Sequence, residues 1–190
     1  MLTRVAKTGS KPYLWVPGFA YDWRIFNQAI ATRPGEHWAT QWSAELDLHS
    51  YCEQILAAMP ENCAVTGWSL GGAVAMQLIP KSCSTTVLAC GQRFCHPQGI
   101  SNAALRAFKR LLARSPEEAL ARFQTWCDYD TAPQVTDKPT LLNTLDWLEK
   151  YEITHWHNAR RVYAKQDKLV IAEGHCELVE GGHASVLEHL

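Results

Sequence analysis

Cys63-Ala64-Val65-Thr66-Gly67-Trp68-Ser69-Leu70-Gly71-Gly72-Ala73-Val74-Ala75-Met76 is the stretch on which the fold is decided. Cys63 to Thr66 reads as a four-residue strand running straight into Gly67, and Leu70 to Ile79 reads as a helix of small and apolar residues ended by Pro80. A serine on so sharp a strand-to-helix turn stands clear of the sheet, where a carbonyl can reach it. The turn forces that serine into a strained backbone, and the residues two before and two after it then crowd each other. Gly67 and Gly71 occupy those two places, and Gly72 permits close packing of helix on sheet. A tight glycine-rich turn with an incidental serine is the alternative reading of the motif alone.

Working outward, short apolar runs alternate with longer amphipathic ones, the pattern of strand-helix-strand units in a parallel sheet. Tyr13 to Val16 reads as a buried strand ending at Pro17-Gly18, and Trp23 to Ala31 as a helix stopped by Pro34-Gly35. His37 to Trp42 reads as a strand, Leu48 to Met59 as a helix ended by Pro60, and Thr85 to Cys90 as the next strand. Gly91 to Lys150 is helical and more polar, and strands return at Val162 to Ala164 and Glu177 to Glu180. The fold class expected is α/β, of the α/β-hydrolase type: a mostly parallel central sheet, helices on both faces, and a small helical lid. Residues 1–190 form a single domain in this reading, with the lid inserted at about 91–150 over the strands' carboxyl edge.

Composition narrows the possibilities. A chain of 190 residues supports one good core, and 47% hydrophobic with 19% charged residues excludes a disordered chain. A net charge of −1 gives no global case for nucleic acid or an anionic membrane surface. Met1 to Ser10 lacks the apolar run of a signal peptide, so a cytoplasmic protein with no membrane span is expected. Seven cysteines without a CxxC pair read as reduced, mostly buried thiols, and neither a metal nor a cofactor is expected. His155-Trp156-His157 would set two imidazoles on one strand face, but no further ligand at metal spacing accompanies them.

A serine hydroxyl needs a base to take its proton and a carboxylate to orient that base. In this fold the partners follow the serine in the order acid, then histidine, each in a loop after a later strand. Asp167 leaves the strand ending at Ala164, whereas Asp128, Asp130, Asp137 and Asp146 lie in the helical insert. His183 follows the last strand through Gly181-Gly182, and His175 and His189 are less well placed. The expected oxyanion donors are the backbone N–H groups of Leu70, at the helix start, and Phe19, in the Pro17-Gly18-Phe19-Ala20 loop.

Above the serine, Arg106, Arg110 and Arg114 recur every four residues on one helical face, with Lys109 beside them. With Arg93 and Arg122, six basic residues against Glu117 and Glu118 leave Gly91 to Cys127 at +4. Such a face suits an acidic macromolecular partner or a carboxylate-bearing substrate, or is simply solvated. Leu105, Phe108, Leu111, Leu112, Leu120, Phe123 and Trp126 fill the opposite positions. Trp68, Phe108, Phe123 and Phe19 are the expected walls of an acyl-binding pocket, with core packing as the alternative for each.

Gly67-Trp68-Ser69-Leu70-Gly71-Gly72, Leu14-Trp15-Val16-Pro17-Gly18-Phe19, the arginine-bearing insert and the run HWHNARRVYAKQDKLV at 155–170 together resemble the pimeloyl-[acyl-carrier protein] methyl ester esterases of biotin synthesis. The resemblance implies a serine esterase that cleaves the methyl ester of a pimeloyl chain on acyl-carrier protein. It makes Ser69, Asp167 and His183 the triad and Arg106, Arg110, Arg114 and Arg122 candidate carrier contacts. The sequence ends seven residues after His183, short of the fold's usual final helix, so self-association stands beside the expected monomer. Three other functions stay open: a general carboxylesterase or thioesterase for small acyl groups, a triad-bearing lyase like that of the menaquinone pathway, and an inactive binding protein of the same fold.

Overall fold

A computed structural model describes every residue except Met1, Gln98 and His157. Seven strands form one sheet in the order β1 (Leu2–Lys7), β3 (Glu36–Thr40), β2 (Pro12–Val16), β4 (Cys63–Trp68), β5 (Ser82–Leu88), β6 (Arg160–Ala164) and β7 (Glu177–Val179). β1 runs antiparallel to β3, and every other pair is parallel. Every residue of β4 is buried, as a central strand covered on both faces requires.

The chain leaves β2 toward β3 through α1 (Asn27–Thr32), then doubles back through α2 (Leu48–Ala58) to β4 and on through α3 (Leu70–Gln77) to β5. Right-handed crossovers then put α1 on one face and α2 and α3 on the other. β2 and β4 are neighbours whose outgoing connections go opposite ways, which opens a crevice at their carboxyl ends. The loop after β2 and the turn after β4 therefore meet there. Gly71 shows how closely: a β-carbon on it would lie 2.1 Å from the Val16 carbonyl oxygen and 2.3 Å from that of Pro17.

Three helices separate β5 from β6: α4 (Asn102–Arg114), α5 (Pro116–Cys127) and α6 (Lys138–Lys150). Each start has a chemical reason. The Ser101 and Asp137 side chains accept from the Ala104 and Thr140 N–H groups, and Pro116 and Pro139 occupy first-turn positions that need no donor. Phe108 on α4 and Phe123 on α5 pack edge-on against Phe19, which follows β2, so the insert lies over the sheet's carboxyl edge. Among the described residues no helix is long and apolar enough to cross a membrane.

The structure departs from the sequence-based expectations in several places. β1 was not anticipated: it is an edge strand whose alternation is broken by a bulge between Arg4 and Ala6, and it is tied down by an Arg4–Glu36 ion pair at 3.0 Å. β5 stops at Leu88 rather than Cys90, because Ala89 turns to φ +46°. β3 stops at Thr40 rather than Trp42, whose indole swings out to donate to the carbonyls of Gly18 and Tyr21 at 3.1 and 3.2 Å. Residues 151–156 are irregular, so the expected strand bearing His155 does not form, and His157 lies outside the described residues.

Trp15 and His37 form a polar pair inside the sheet layer, both fully buried. The Trp15 Nε1–H donates to His37 Nδ1 at 3.1 Å, which leaves the proton on His37 Nε2 to meet the Arg33 carbonyl at 2.9 Å. Both ring nitrogens are satisfied, so the imidazole sits in the core without an orphaned group. Gly71→Ala is expected to lower stability by about 2 kcal/mol or more, since its methyl has two carbonyl oxygens to displace. Urea unfolding checks this, and a midpoint within experimental error of wild type contradicts the packing described.

Candidate active site

Ser69 sits between β4 and α3 with φ +55° and ψ −122°, a backbone conformation that L-residues adopt only under constraint. The constraint is visible on both sides. Ser69 N–H donates to the Leu88 carbonyl at 2.8 Å, and the Ser69 carbonyl receives Gly72 N–H at 2.8 Å. Gly67 approaches Gly71 so closely that a β-carbon on it would be 2.0 Å from the Gly71 oxygen. Only glycine at both places lets the turn close.

Asp167 and His183 meet although they are sixteen residues apart. His183 Nδ1 lies 2.7 Å from Asp167 Oδ2, and the two side chains are 0% and 1% exposed. The other carboxylate oxygen, Oδ1, accepts from the Leu169 and Val170 N–H groups at 2.8 and 3.0 Å, which fixes the carboxylate in the turn after β6. With Nδ1 donating to Asp167, His183 Nε2 is the acceptor nitrogen. Among the described residues it is buried and has no hydrogen-bond partner. Ser69 Oγ and His183 Nε2 share no hydrogen bond in this structure.

The other acids and histidines weighed from the sequence have separate places. Asp128 ends α5 in a left-handed conformation, Asp137 caps α6, and Asp146 is paired with Lys109. The His175 and His189 carbonyls accept from Arg161 and Arg160, and His189 lies within electrostatic reach of Glu177.

The loop after β2 is held against the serine. A β-carbon on Gly18 would lie 3.2 Å from Ser69 Cβ and 2.7 Å from the Trp68 ring. Neither Phe19 nor Leu70 N–H donates to a protein acceptor among the described residues. Ala20, one residue on, is forced to φ +64°, and its carbonyl receives the N–H groups of Gln134 and Val135 at 3.1 and 3.0 Å. Tyr21 Oη donates to the Thr131 carbonyl at 3.2 Å, and Gln134 Oε1 accepts from Asp22 N–H at 3.3 Å. The connector between α5 and α6 thus clamps this loop. Sequence reading missed that clamp, because backbone carbonyls and a left-handed alanine carry no residue signature.

Trp68 is the clear correction among the pocket residues. It is fully buried and lines no open cavity, because its indole turns inward: Nε1–H donates to the His183 carbonyl at 3.1 Å. Phe108 and Phe123 line an apolar crevice with Phe94, Leu105, Trp126 and Leu169, and neither Ser69 nor His183 is among its lining residues. That crevice holds only about 10 Å³, room for a single water.

The basic face divides. Arg106 lies 3.7 Å from Glu149, and Lys109 pairs with Asp146 and Glu149 on α6, so these two bind the insert together. Arg110, Arg114 and Arg122 are exposed and have no ion pair among the described residues, though Arg122 stacks over Trp126 at 4.9 Å.

The alpha/beta hydrolase family model matches residues 4–189. The chain belongs to that family. Its fold is similar to that of an esterase, EaEST, from Exiguobacterium antarcticum (12% identity, 99% of this chain and 90% of that one, TM-score 0.76). BioG from Haemophilus influenzae is likewise similar (18% identity, 100% and 95%, TM-score 0.70). So is the type II thioesterase BorB from the borrelidin biosynthetic cluster (16% identity, 99% and 90%, TM-score 0.67). No curated protein matches the chain by sequence.

The buried thiols are passive. Burial pushes Cys52, Cys63 and Cys90 up to about 12, and Cys127 is raised well above the ordinary thiol range by burial and by the charge of Asp167. At pH 8 a thiol at about 12 is ionised in roughly one molecule in 10⁴. A thiol-reactive disulfide at pH 8 is therefore expected to modify exposed Cys83 first and to spare these four until the protein is unfolded. Equal rates at Cys83 and Cys127 in the folded protein contradict that burial.

Proposed function

We propose that the protein is a serine ester hydrolase in which Ser69 is the nucleophile, His183 the general base and Asp167 its orienting acid. The observation that carries this is the buried Asp167–His183 pair, whose Nε2 has no hydrogen-bond partner among the described residues, tied through the Trp68 indole to the strained elbow that bears Ser69. His183 Nε2 takes the Ser69 proton as Oγ attacks the ester carbonyl. Asp167 holds Nδ1–H throughout and offsets the imidazolium charge. Phe19 and Leu70 N–H groups receive the oxyanion, where each donor is worth about 10² in rate or more. The tetrahedral adduct expels the alcohol, which leaves with the proton from His183. Water, deprotonated by the same nitrogen, then cleaves the acyl-enzyme to the acid and regenerates Ser69.

The substrate we favour is the methyl ester of a pimeloyl group on acyl-carrier protein, with methanol as the leaving alcohol. Support comes from the sequence resemblance and from Arg110, Arg114 and Arg122, which remain unneutralised on the exposed side of the insert and suit an acidic carrier. The competing reading is a general esterase or thioesterase for small acyl groups. It is favoured by the neutralisation of Arg106 and Lys109 by α6, which leaves a thinner basic face than the sequence promised. A lyase with arginines turned toward the serine is not supported: among the described residues Arg106, Arg110, Arg114 and Arg122 make no hydrogen bond or ion pair with Ser69, Asp167 or His183.

A fluorophosphonate probe is expected to label the wild type and to leave Ser69→Ala unlabelled; absence of wild-type labelling removes the hydrolase reading. Asp167→Asn is expected to keep the fold and lower kcat by about 10⁴, because the wrong imidazole tautomer then faces the serine. For the carrier, Arg110→Glu with Arg114→Glu is expected to raise KM for pimeloyl-carrier methyl ester at least about tenfold while sparing a small p-nitrophenyl ester. Equal loss on both substrates counts against carrier recognition.

A further inference from the structure

All three parts of the candidate site converge on one side chain that touches no solvent. Trp68 precedes Ser69 in the chain, so its backbone shares the elbow. Its ring lies directly under Gly18, where even a methyl would come within 2.7 Å of it, so the indole is the floor on which the Phe19 loop rests. Its Nε1–H reaches across 115 residues of chain to the carbonyl of His183 at 3.1 Å, and the indole and imidazole centroids are 5.3 Å apart. Tyr21 and Tyr129 close around the indole at 5.2 and 6.2 Å, both at steep interplanar angles.

The histidine loop is tied on either side of His183: Gln166 N–H donates to the Gly181 carbonyl at 3.0 Å and Ala184 N–H to the Cys127 carbonyl at 3.1 Å. It consists of Gly181, at φ +96°, then Gly182 and His183, followed by a short helical turn at Ser185–His189. Asp167 holds the imidazole at Nδ1, and the side chain is fully buried. Among the described residues the Trp68 indole makes the hydrogen bond to His183's own backbone. We propose that Trp68 is a positioning residue: through Nε1 it locks the His183 backbone to the serine elbow, so that Nε2 and Oγ keep one relative placement as substrate binds.

This rests on the ester-hydrolase reading for its kinetic consequence, but its structural claim concerns the imidazole itself and can be read without turnover. Trp68→Phe removes the N–H and keeps an aromatic ring. Site-specific replacement of the indole by 3-benzothienylalanine exchanges N–H for sulfur at nearly constant volume and guards against a packing defect in the phenylalanine variant. Trp15→Phe is the control, an equally buried indole whose N–H serves His37, away from the site. Folding is checked by circular dichroism and urea unfolding.

In both Trp68 variants kcat on a p-nitrophenyl ester is expected to fall about tenfold to a hundredfold with KM within about threefold, as for a misplaced catalytic group. The His183 Nδ1 proton, observed by NMR as a downfield signal bonded to Asp167, is expected to exchange faster with water. Trp15→Phe is expected to lose stability and leave kcat and that signal unchanged. An unaltered kcat and Nδ1 signal in the folded benzothienyl variant overturns the proposal, as does an equal fall of kcat in Trp15→Phe. If the wild type neither turns over esters nor labels with a fluorophosphonate, the hydrolase reading fails, and the Nδ1 exchange rate still decides whether Trp68 holds His183.

Discussion

At the turn between β4 and α3 two glycines approach until no β-carbon fits between them: one on Gly67 would meet the Gly71 oxygen at 2.0 Å, and one on Gly71 would meet the Val16 oxygen at 2.1 Å. That crowding joins the central strands β2 and β4 to the helix that follows, and it holds Ser69 at φ +55°. The strain is sustained by the packing of a strand buried along its whole length, which a surface turn cannot supply. The loop after β2, the serine, and the first free N–H of α3 occupy one crevice as a consequence.

Around that turn the site is assembled from loops. The Asp167 carboxylate is held by two backbone N–H groups two and three residues ahead of it, a local device that any loop can use. His183 arrives on a glycine-rich loop, and Ala20 is bent by hydrogen bonds from the connector between α5 and α6. These long-range ties place backbone groups, and together with the contacts of Phe108 and Phe123 on Phe19 they link the helical insert to the site.

The insert itself combines two kinds of surface. Its inner aromatic residues line an almost filled apolar crevice and pack against Phe19. Its outer basic residues are partly spent in ion pairs between α4 and α6, each worth little at a solvated surface but enough to neutralise the charge locally. A charge tally along the chain therefore overstates the basic face that remains for a partner.

Much was legible in the sequence. Gly67, Ser69 and Gly71 named their own turn, because sterics leave glycine as the one residue that closes it. The order of elements then gave Asp167 and His183 as the residues leaving the last two strands, since a parallel sheet sends its loops to a common edge. What the sequence left hidden depends on contacts between distant segments. β1 has no clean alternation, because its bulge interrupts the period and its pairing partner begins thirty-odd residues later. Trp68 looked like a pocket wall from its place beside the serine, yet the direction of its ring is set by Gly18 below it and by the His183 carbonyl across from it. Local sterics write themselves into residue identity, so the elbow was readable from one stretch of chain. The orientation of an indole is decided by what surrounds it, and only the folded molecule supplies those surroundings.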